Sequence, residues 1–545
     1  MKWHLLTEKV PSSLEDVYKI LLKNRQVANK GDFFEPKNPI DLSAEELGVD
    51  IEMLQKAKDR ILEAIKKKQK IIVFGDYDAD GISATAILWQ TLYDLGADAL
   101  PFIPHREKHG YGLTTAALEE IYKTSTPDLL ITVDTGIVAH EEVEKLKEKN
   151  IDVIITDHHQ PDETLPEALA VVHSTKICGA AVAWVLAREF TEEAARKNLD
   201  LVALATVTDL MPLKGVNRAF VHHGLEVMNK RERLGLLALQ KVAGLENKNI
   251  ESMQLGFVLG PRINAMGRLS HAVDALRLLC TKNKKRASEL ASLIDSTNSD
   301  RKQLTQDLYQ LARGQVSEQK KEHILVVHSD EFHEGIIGLI AGKLTQSYAK
   351  PSIVISTRGE TAKASARSVV GVNITEVIRS TRDLLLAFGG HPMAAGFGFE
   401  HDNLEPVIDY MFNYGRENID KDLLQKRLSI ECLLPLDFIS LEFLDYLQKF
   451  SPFGQKNPEP IFALKNIKIK EIRTIGKQQN HLKLLLTDET DNLELTALAW
   501  GRGDLSDSLQ VGQSINAAVT LQINEWMDRK NIQAIVKDFQ VEDLD

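Results

Sequence analysis

Short apolar runs alternate with longer stretches whose apolar residues fall three and four apart between Lys70 and about residue 215. Ile71-Ile72-Val73-Phe74 and the runs 129–133 and 151–156 have the length and β-branched content of buried strands. After the first, Ile82, Ala86, Leu88, Leu92 and Leu95 keep a helical spacing up to Gly96. HEEVEKLKEKN, between the second and third, is a charged helix, and the run 201–207 reads as a fourth strand. Repeated strand–helix–strand units of this length predict a parallel sheet with helices on its faces.

The rest of the pattern divides the chain further. Residues 1–69 read as a helical lead-in without evident chemistry, and 70–282 as the parallel-sheet domain. Within 283–321, a single long helix over 284–316 carries an apolar face of Leu290, Ile294, Leu304, Leu308 and Leu311, and connects two domains. Residues 322–424 form a second α/β domain, with strands at 324–327 and 353–355 around the helical GIIGLIAGKL. From 425 to 545 several short alternating strands predict a small barrel, for which an OB-fold that binds single-stranded nucleic acid is the natural candidate. Its Phe453, Phe462, Trp500 and Trp526 are either stacking residues or core.

The polar residues that end the runs carry the chemistry. The first run delivers Asp76, Asp78 and Asp80, closed by Gly81; the second Asp134-Thr135-Gly136; the third Asp157-His158-His159; the fourth Thr208-Asp209. The carboxyl ends of parallel strands share one edge, where open α/β sheets place their sites. One Asp or His after a strand is usually a cap, but four such ends together are hard to explain structurally. Oxygen-rich Asp/His sets suit a pair of Mn2+ or Mg2+ ions, which activate water and clamp a phosphoryl group. Taken alone, D-x-D-x-D-G also opens a calcium-binding EF-hand loop. That loop needs a bidentate Glu at its twelfth position, here Ile87, and a preceding helix where this chain has a strand. An Asp-rich structural turn stays open for that stretch by itself.

Candidate phosphate contacts lie elsewhere. IPHREKHGYGL (103–113) offers Arg106, Lys108 and His109 beside Gly110 and Gly112, a phosphate loop or an exposed polar loop. GPRINAMGRLSHA spaces Arg262, Asn264 and Arg268 among glycines in a stretch without periodicity. Ser365, Arg367 and Ser368 precede FGGHPMAAGFGF, where Gly389, Gly390 and His391 present backbone N–H groups to a phosphate or pack tightly on a sheet.

A net charge of −12 excludes coating of nucleic acid through bulk charge but not a local basic patch, and residues 343–392 hold a basic excess. Three widely separated cysteines, no N-terminal h-region and no apolar span of the ~20 residues a bilayer requires give a cytoplasmic expectation without a membrane partner. No G-x-x-x-x-G-K-[ST] loop occurs, which argues against an ATP-driven motor.

GDYDADG, VDTG and TDHH, followed by Asp209 in ATVTDLMPL, resemble in order the motifs of the DHH phosphoesterase superfamily. GPRINAMGRLSHA, GGHPMAAGF and SPFGQKNPEP resemble segments of its RecJ branch. The resemblance implies that Asp78, Asp80, Asp134, His158 and Asp209 ligate two divalent ions. His159 would face the scissile phosphate, and Asp157 would orient the histidines. Asp76 is a ligand or stands behind the ligands; many superfamily members have a His where this chain has Phe74. Arg106, His109, Arg262, Asn264, Arg268, Ser365, Arg367, Ser368, Gly390 and His391 would contact substrate. The implied activity is that of a monomeric, single-stranded-DNA-specific 5′→3′ exonuclease of DNA repair and recombination that releases mononucleotides. A single-strand-binding protein and a helicase are the implied partners.

Two other readings are a DHH phosphodiesterase acting on nanoRNA or cyclic dinucleotides, and a non-catalytic strand-binding replication factor. The long tail and connecting helix argue against the first, and the full ligand set against the second. Lys456 stands where the RecJ pattern has Gly, so a different local turn is expected there, because Lys does not readily adopt a positive φ.

Overall fold

The computed structural model describes residues 1–488, 490, 492–526 and 529–541. It divides into two compact units, one of residues 1–36, 212–218 and 426 onward, the other of 37–211 and 219–425. The first 69 residues, expected as a single lead-in, contribute to both. Strand β1 (Lys2–Leu5) and helix α1 (Leu14–Asn24) belong with the C-terminal residues, whereas α2 (Ile51–Lys67) belongs to the larger unit. Helix α2 starts where Asp50 accepts the Glu52 and Met53 N–H groups, and it buries Leu54, Ala57, Ile61 and Ala64, one apolar stripe.

In the larger unit, β2 (Lys70–Gly75) is followed by α3 (Ala79–Asp94), then β3 (Asp98–Phe102), β4 (Leu129–Val133), β5 (Asp152–Asp157) and β6 (Ala170–His173). These strands form an all-parallel sheet in the order β3-β2-β4-β5-β6. Both faces are covered, so Ile71, Ile72, Val73 and Phe74 are all buried, which is why the run is unbroken rather than alternating. The chain leaves β2 toward β3 and returns to its other side at β4, so the switch point lies between the carboxyl ends of β2 and β4. That crevice is where such sheets bind ligands.

Helix α4 (Gly179–Arg188) follows, and then a correction: the run 201–207, expected as a strand, lies in helix α5 (Leu199–Thr208). Leu199, Leu201, Val202, Ala203, Leu204 and Ala205 are all buried. A helix that is apolar all round leaves no 3.6-residue period and cannot be told from a buried strand by periodicity. After α6 (Leu234–Val242), GPRINAMGRLSHA, expected to be irregular, is largely helical as well. A π-helical turn (Leu255–Leu259) leads into α7 (Gly260–Leu269). Its Gly267 is dictated by close approach, since a Cβ there would stand 2.3 Å from the Tyr77 carbonyl oxygen.

The long connecting helix is present as α8 (Lys284–Val316), started by the Asn283 side chain accepting the Arg286 N–H. It leads to the second sheet: β7 (Leu325–Ser329), α9 (Ile337–Tyr348), β8 (Ser352–Ser356), β9 (Ala362–Arg367), β10 (Ala387–His391) and β11 (Ala394–Phe399), in the order β10-β11-β9-β8-β7. Only β7 and β8 run parallel; β10 is an exposed edge strand.

In the smaller unit β12 (Arg427–Ile430) pairs in parallel with β1. Strands β13 (Phe462–Ile475), β14 (His481–Thr487), β15 (Glu494–Ala499), β16 (Ser514–Trp526) and β17 (Arg529–Val541) close into a five-stranded barrel, as expected of an OB-fold. Phe462 is fully buried in its core and Phe453 packs against that core, whereas Trp500 is exposed with its ring 4.8 Å from His481. The Trp526 side chain lies outside the described residues. Lys456 does take a positive φ, +61°, so the departure from Gly leaves that backbone conformation in place.

Arg218 ties this unit together. Its buried guanidinium donates to the carbonyl oxygens of Phe33, Lys449, Phe450, Ser451 and Pro452 at 2.6–3.4 Å, and lies 4.0 Å from the Phe33 ring. Buried carbonyls stripped of donors cost ~1–3 kcal/mol each. Arg218→Met is therefore expected to destabilise this unit by roughly 3 kcal/mol or more, read as a lowered urea midpoint. An unchanged midpoint would show that the carbonyls are satisfied without the guanidinium.

Candidate metal centre and phosphate face

The acids collect at the switch point because backbone and side chain cooperate locally. Asp78 caps α3, its Oδ1 accepting the Asp80 and Gly81 N–H groups at 2.9 and 3.0 Å. Asp80, one residue into the helix, is clamped from the other side by the amino end of α4. The Gly179 and Ala180 N–H groups donate to its two oxygens at 2.8 and 2.6 Å. A helix amino terminus favours a carboxylate in this position. Asn264 of α7 accepts the Ala79 N–H at 2.7 Å and so fixes the same loop.

Asp134 follows β4 in the left-handed region, φ +60°, which Asp tolerates better than most residues. A Cβ on Gly179 would stand 2.2 Å from Asp134 Oδ1, so only glycine fits there. His158 Nε2 lies 3.2 Å from Asp134 Oδ1, 3.7 Å from Asp80 Oδ2 and 3.8 Å from Asp209 Oδ2. Asp209 reaches this point from the carboxyl end of α5 rather than from a strand. Donor atoms of Asp80, His158 and Asp209 form one group close enough to share an ion, and those of Asp76, Asp78 and Asp134 form another. Asp134 also groups with His158 and His159, and so stands between the two sets.

The residues fit divalent ions. Asp134 Oδ1 is buried and makes no hydrogen bond among the described residues, and five carboxylates with one imidazole are a hard, oxygen-rich donor set. Without a cation the electrostatics are unfavourable. Burial, and then the neighbouring Asp78, push Asp76 up to about 8 and Asp80 up to about 7. Burial, followed by Asp80 and Asp78, pushes Asp209 to about 9, and the same influences hold Asp134 well above the usual carboxylate range. Burial lowers His158 to about 4, leaving it neutral and able to ligate.

Asp157 and His159 form a separate pair. Asp157 Oδ1 binds His159 Nδ1 at 2.8 Å and accepts the backbone N–H groups of His158 and His159; Oδ2 accepts the Ile137 N–H. Burial lowers the His159 pKa, but the hydrogen bond to and charge of Asp157 outweigh it and lift it to about 9. His159 Nε2 meets the Tyr111 hydroxyl at 3.1 Å, and His173 donates to the His159 carbonyl oxygen at 2.7 Å. The sequence reading missed both. Tyr111 had a visible cue, an aromatic residue between two glycines of a suspected phosphate loop; His173 had none.

The expected substrate residues divide. Arg106, whose guanidinium lies 5.2 Å from the Tyr77 ring, is within electrostatic reach of Arg268 and Arg367. Burial, and then Arg106, lower both of those arginines, Arg268 to about 10. Arg268 donates to the Gly335 carbonyl oxygen and Arg367 to Ser365 Oγ, so the two α/β domains meet on this cationic face. Arg301 of α8, not anticipated, joins it with a buried Nε that has no hydrogen-bond partner among the described residues. A single Arg on a long, mostly solvated helix leaves no mark in the sequence. His391 and Gly390 sit on the exposed edge strand β10, with His391 within electrostatic reach of His158.

Three expected contacts are otherwise engaged. Arg262 is paired with Asp295 at 2.9 Å. Ser368 is buried in a turn, donating to the Val372 carbonyl oxygen. His109 shapes its own loop by accepting the His105 N–H.

The DHH family N-terminal domain matches residues 70–206, the DHHA1 domain 321–414 and the RecJ OB domain 430–538. The chain is 34% identical to the single-stranded-DNA-specific exonuclease RecJ of Bacillus subtilis over 90% of its own length, and spans 63% of that relative. It is 32% identical to the protein of the same name from Haemophilus influenzae, with 89% of this chain and 90% of the relative covered. The crystal structure of RecJ in complex with Mn2+ from Thermus thermophilus superposes with a TM-score of 0.83 at 29% identity, over 99% of this chain and 80% of that one.

Proposed function

The chain belongs to the RecJ family, and from that premise we propose that it is a single-stranded-DNA-specific exonuclease that degrades from the 5′ end and releases mononucleotides. One observation carries the reading: five carboxylates and His158, with an unsatisfied Asp134 oxygen between two donor sets, in the same unit as the Arg106, Arg268 and Arg367 face. Asp78, Asp80, Asp134, His158 and Asp209 would hold two ions, Mn2+ or Mg2+, with Asp76 as a further donor to the set it shares with Asp78 and Asp134. When bound, such ions supply Lewis-acid activation of water and a clamp on phosphoryl oxygens.

The protein's own groups supply the rest. Asp157 accepts a hydrogen bond from His159 Nδ1–H and fixes the ring, so that a protonated His159 would present Nε2–H to a nonbridging phosphate oxygen. The Tyr111 hydroxyl accepts that Nε2–H in the absence of substrate, and a phosphate oxygen would take its place. Arg106, Arg268 and Arg367 would grip backbone phosphates, and Asn264 and the amino end of α4 keep the acids in place. The barrel is proposed to bind single-stranded DNA as well. Monomeric action, with a single-strand-binding protein and a helicase as partners, belongs to the same proposal.

Digestion of 5′- and 3′-labelled single strands and of duplex, with Mn2+, tests it. The expected result is early release of the 5′ label as mononucleotide, with blunt duplex resistant. Faster turnover of dinucleotides than of long strands would replace this reading with that of a small-substrate phosphodiesterase.

A further inference from the structure

A line of accessible residues runs along one side of the stretch 252–269. A helical turn (Ser252–Gln254), the π-helical turn and α7 follow one another without a break. Met253, Phe257, Pro261, Asn264 and Arg268 escape full burial at spacings of four, four, three and four, which keeps them on one side of a helix. Ile263, Ala265, Met266 and Gly267, on its other sides, are buried. Asn264 holds the metal loop through the Ala79 N–H, and Arg268 belongs to the cationic face.

Phe257 is 80% exposed, the most exposed aromatic side chain among the described residues, and Met253, one turn before it, is 59% exposed. This end of the line lies against a metal ligand. A Cβ on Gly256 would stand 3.3 Å from Val207 and one on Gly260 2.2 Å from Thr208, so the stretch presses on the last turn of α5, which leads into Asp209. Leu210, the next residue, is 71% exposed in the left-handed region, φ +59°, which a bulky residue seldom adopts. A lone exposed apolar residue is ordinary, but Met253, Phe257 and Leu210 gather around one ligand. π-Helical turns, moreover, are frequent at functional sites.

At ~1.5 Å rise per residue, Asn264 lies roughly 10 Å from Phe257 along the helix and Arg268 roughly 16 Å. The order along the line is therefore cationic face, metal loop, exposed ring. A 5′ exonuclease that releases mononucleotides keeps one nucleotide on the 5′ side of its ions, and a terminal phosphate, with its extra charge, suits the arginines. The strand still to be cut then leaves on the other side, toward Phe257. On the nuclease reading, we propose that Phe257 stacks on a base of this retained strand, 3′ of the scissile bond. An aromatic face accepts any base, which suits a strand whose every nucleotide passes the ring in turn.

The test is digestion, with Mn2+, of 5′-labelled single strands carrying one abasic site at successive positions, and of a 5′-phosphorylated dinucleotide too short to reach the ring. Initial release of the label is measured. In the wild-type protein an abasic site at one position 3′ of the cut should raise KM about tenfold. Phe257→Ala should raise KM for the intact strand by about the same factor with little change in kcat, and should erase the abasic penalty at that position. The preference for the long strand over the dinucleotide should fall with it, and Phe257→Trp should restore both. An unchanged KM in Phe257→Ala, an abasic penalty that persists there, or an equal loss on the dinucleotide would overturn the proposal. Wild-type protein that leaves single strands intact would overturn the nuclease reading itself, and the stacking with it.

Discussion

Asp134→Asn is expected to lower kcat by about three orders of magnitude and, in ion-free protein, to raise the melting temperature. The two effects share a cause. Asp134 Oδ1 is buried, makes no hydrogen bond among the described residues and belongs to groups with His158 and with Asp76 and Asp78, so amidation removes a carboxylate common to both. A thousandfold loss corresponds to about 4 kcal/mol, the scale of charge stabilisation that a divalent ion supplies. Without ions, the same carboxylate is held well above its ordinary pKa by burial and by Asp80, Asp78, Asp76 and Asp209. Asn is uncharged at every pH, so the variant escapes the burial and repulsion that penalise an ionisable group at this position. Asn is also among the residues that best tolerate the positive φ at this position, so the backbone has no reason to move. The measurements are digestion of a labelled single strand with Mn2+ and melting in EDTA. A variant that still digests DNA places the site elsewhere, and one that melts lower in EDTA shows that the acids are not under mutual strain.

Much of this centre was legible because its signals are local. A buried parallel strand is an unbroken β-branched run, and Asp76, Asp78, Asp80, Asp134 and His158 follow directly on such runs. Asp209 was found by a partly mistaken route. It does end an apolar run, but that run is a helix, and a helix buried on all sides looks like a strand in one dimension. What stayed hidden depends on partners distant in sequence. Arg262 looked like Arg268, both set among glycines, yet Asp295 on α8 claims one while the other turns to Gly335. Ser368 is one residue from Arg367 but faces a turn. Gly179 carries no motif at all, and its necessity comes from Asp134, brought against it by the fold. The pairing of β1 with β12, at opposite ends of the chain, was invisible for the same reason.

Ion-free protein is expected to lose stability steeply as pH rises from about 6.5 to 9, and Mn2+ is expected to remove most of that slope. Asp76, Asp80 and Asp209 have folded pKa values of about 8, 7 and 9, chiefly through burial and then through neighbouring acids, against an ordinary value of 3.8. For a group raised in this way the folded state binds more protons than the unfolded one. The stabilisation is complete below about 3.8 and is lost as pH climbs through the folded value. His159, raised to about 9 from 6.5, has the same sign over the upper window. His158, lowered to about 4, acts oppositely but only below about 6.5. The carboxylates and His159 therefore govern the range above neutrality. A drop of about 5 °C or more in melting temperature across it, in EDTA, is the expected size for a few kcal/mol. A divalent ion displaces the protons and substitutes for them, so binding should also release protons, measurable by calorimetry in buffers of different ionisation enthalpy. The net charge of −12 would also weaken the fold at high pH, but through repulsion spread over the surface, which Mn2+ at the acids leaves largely untouched. The difference between the slopes with and without Mn2+ isolates the centre. Equal slopes would mean that these carboxylates do not titrate together, and Asp134→Asn should flatten the EDTA curve if they do.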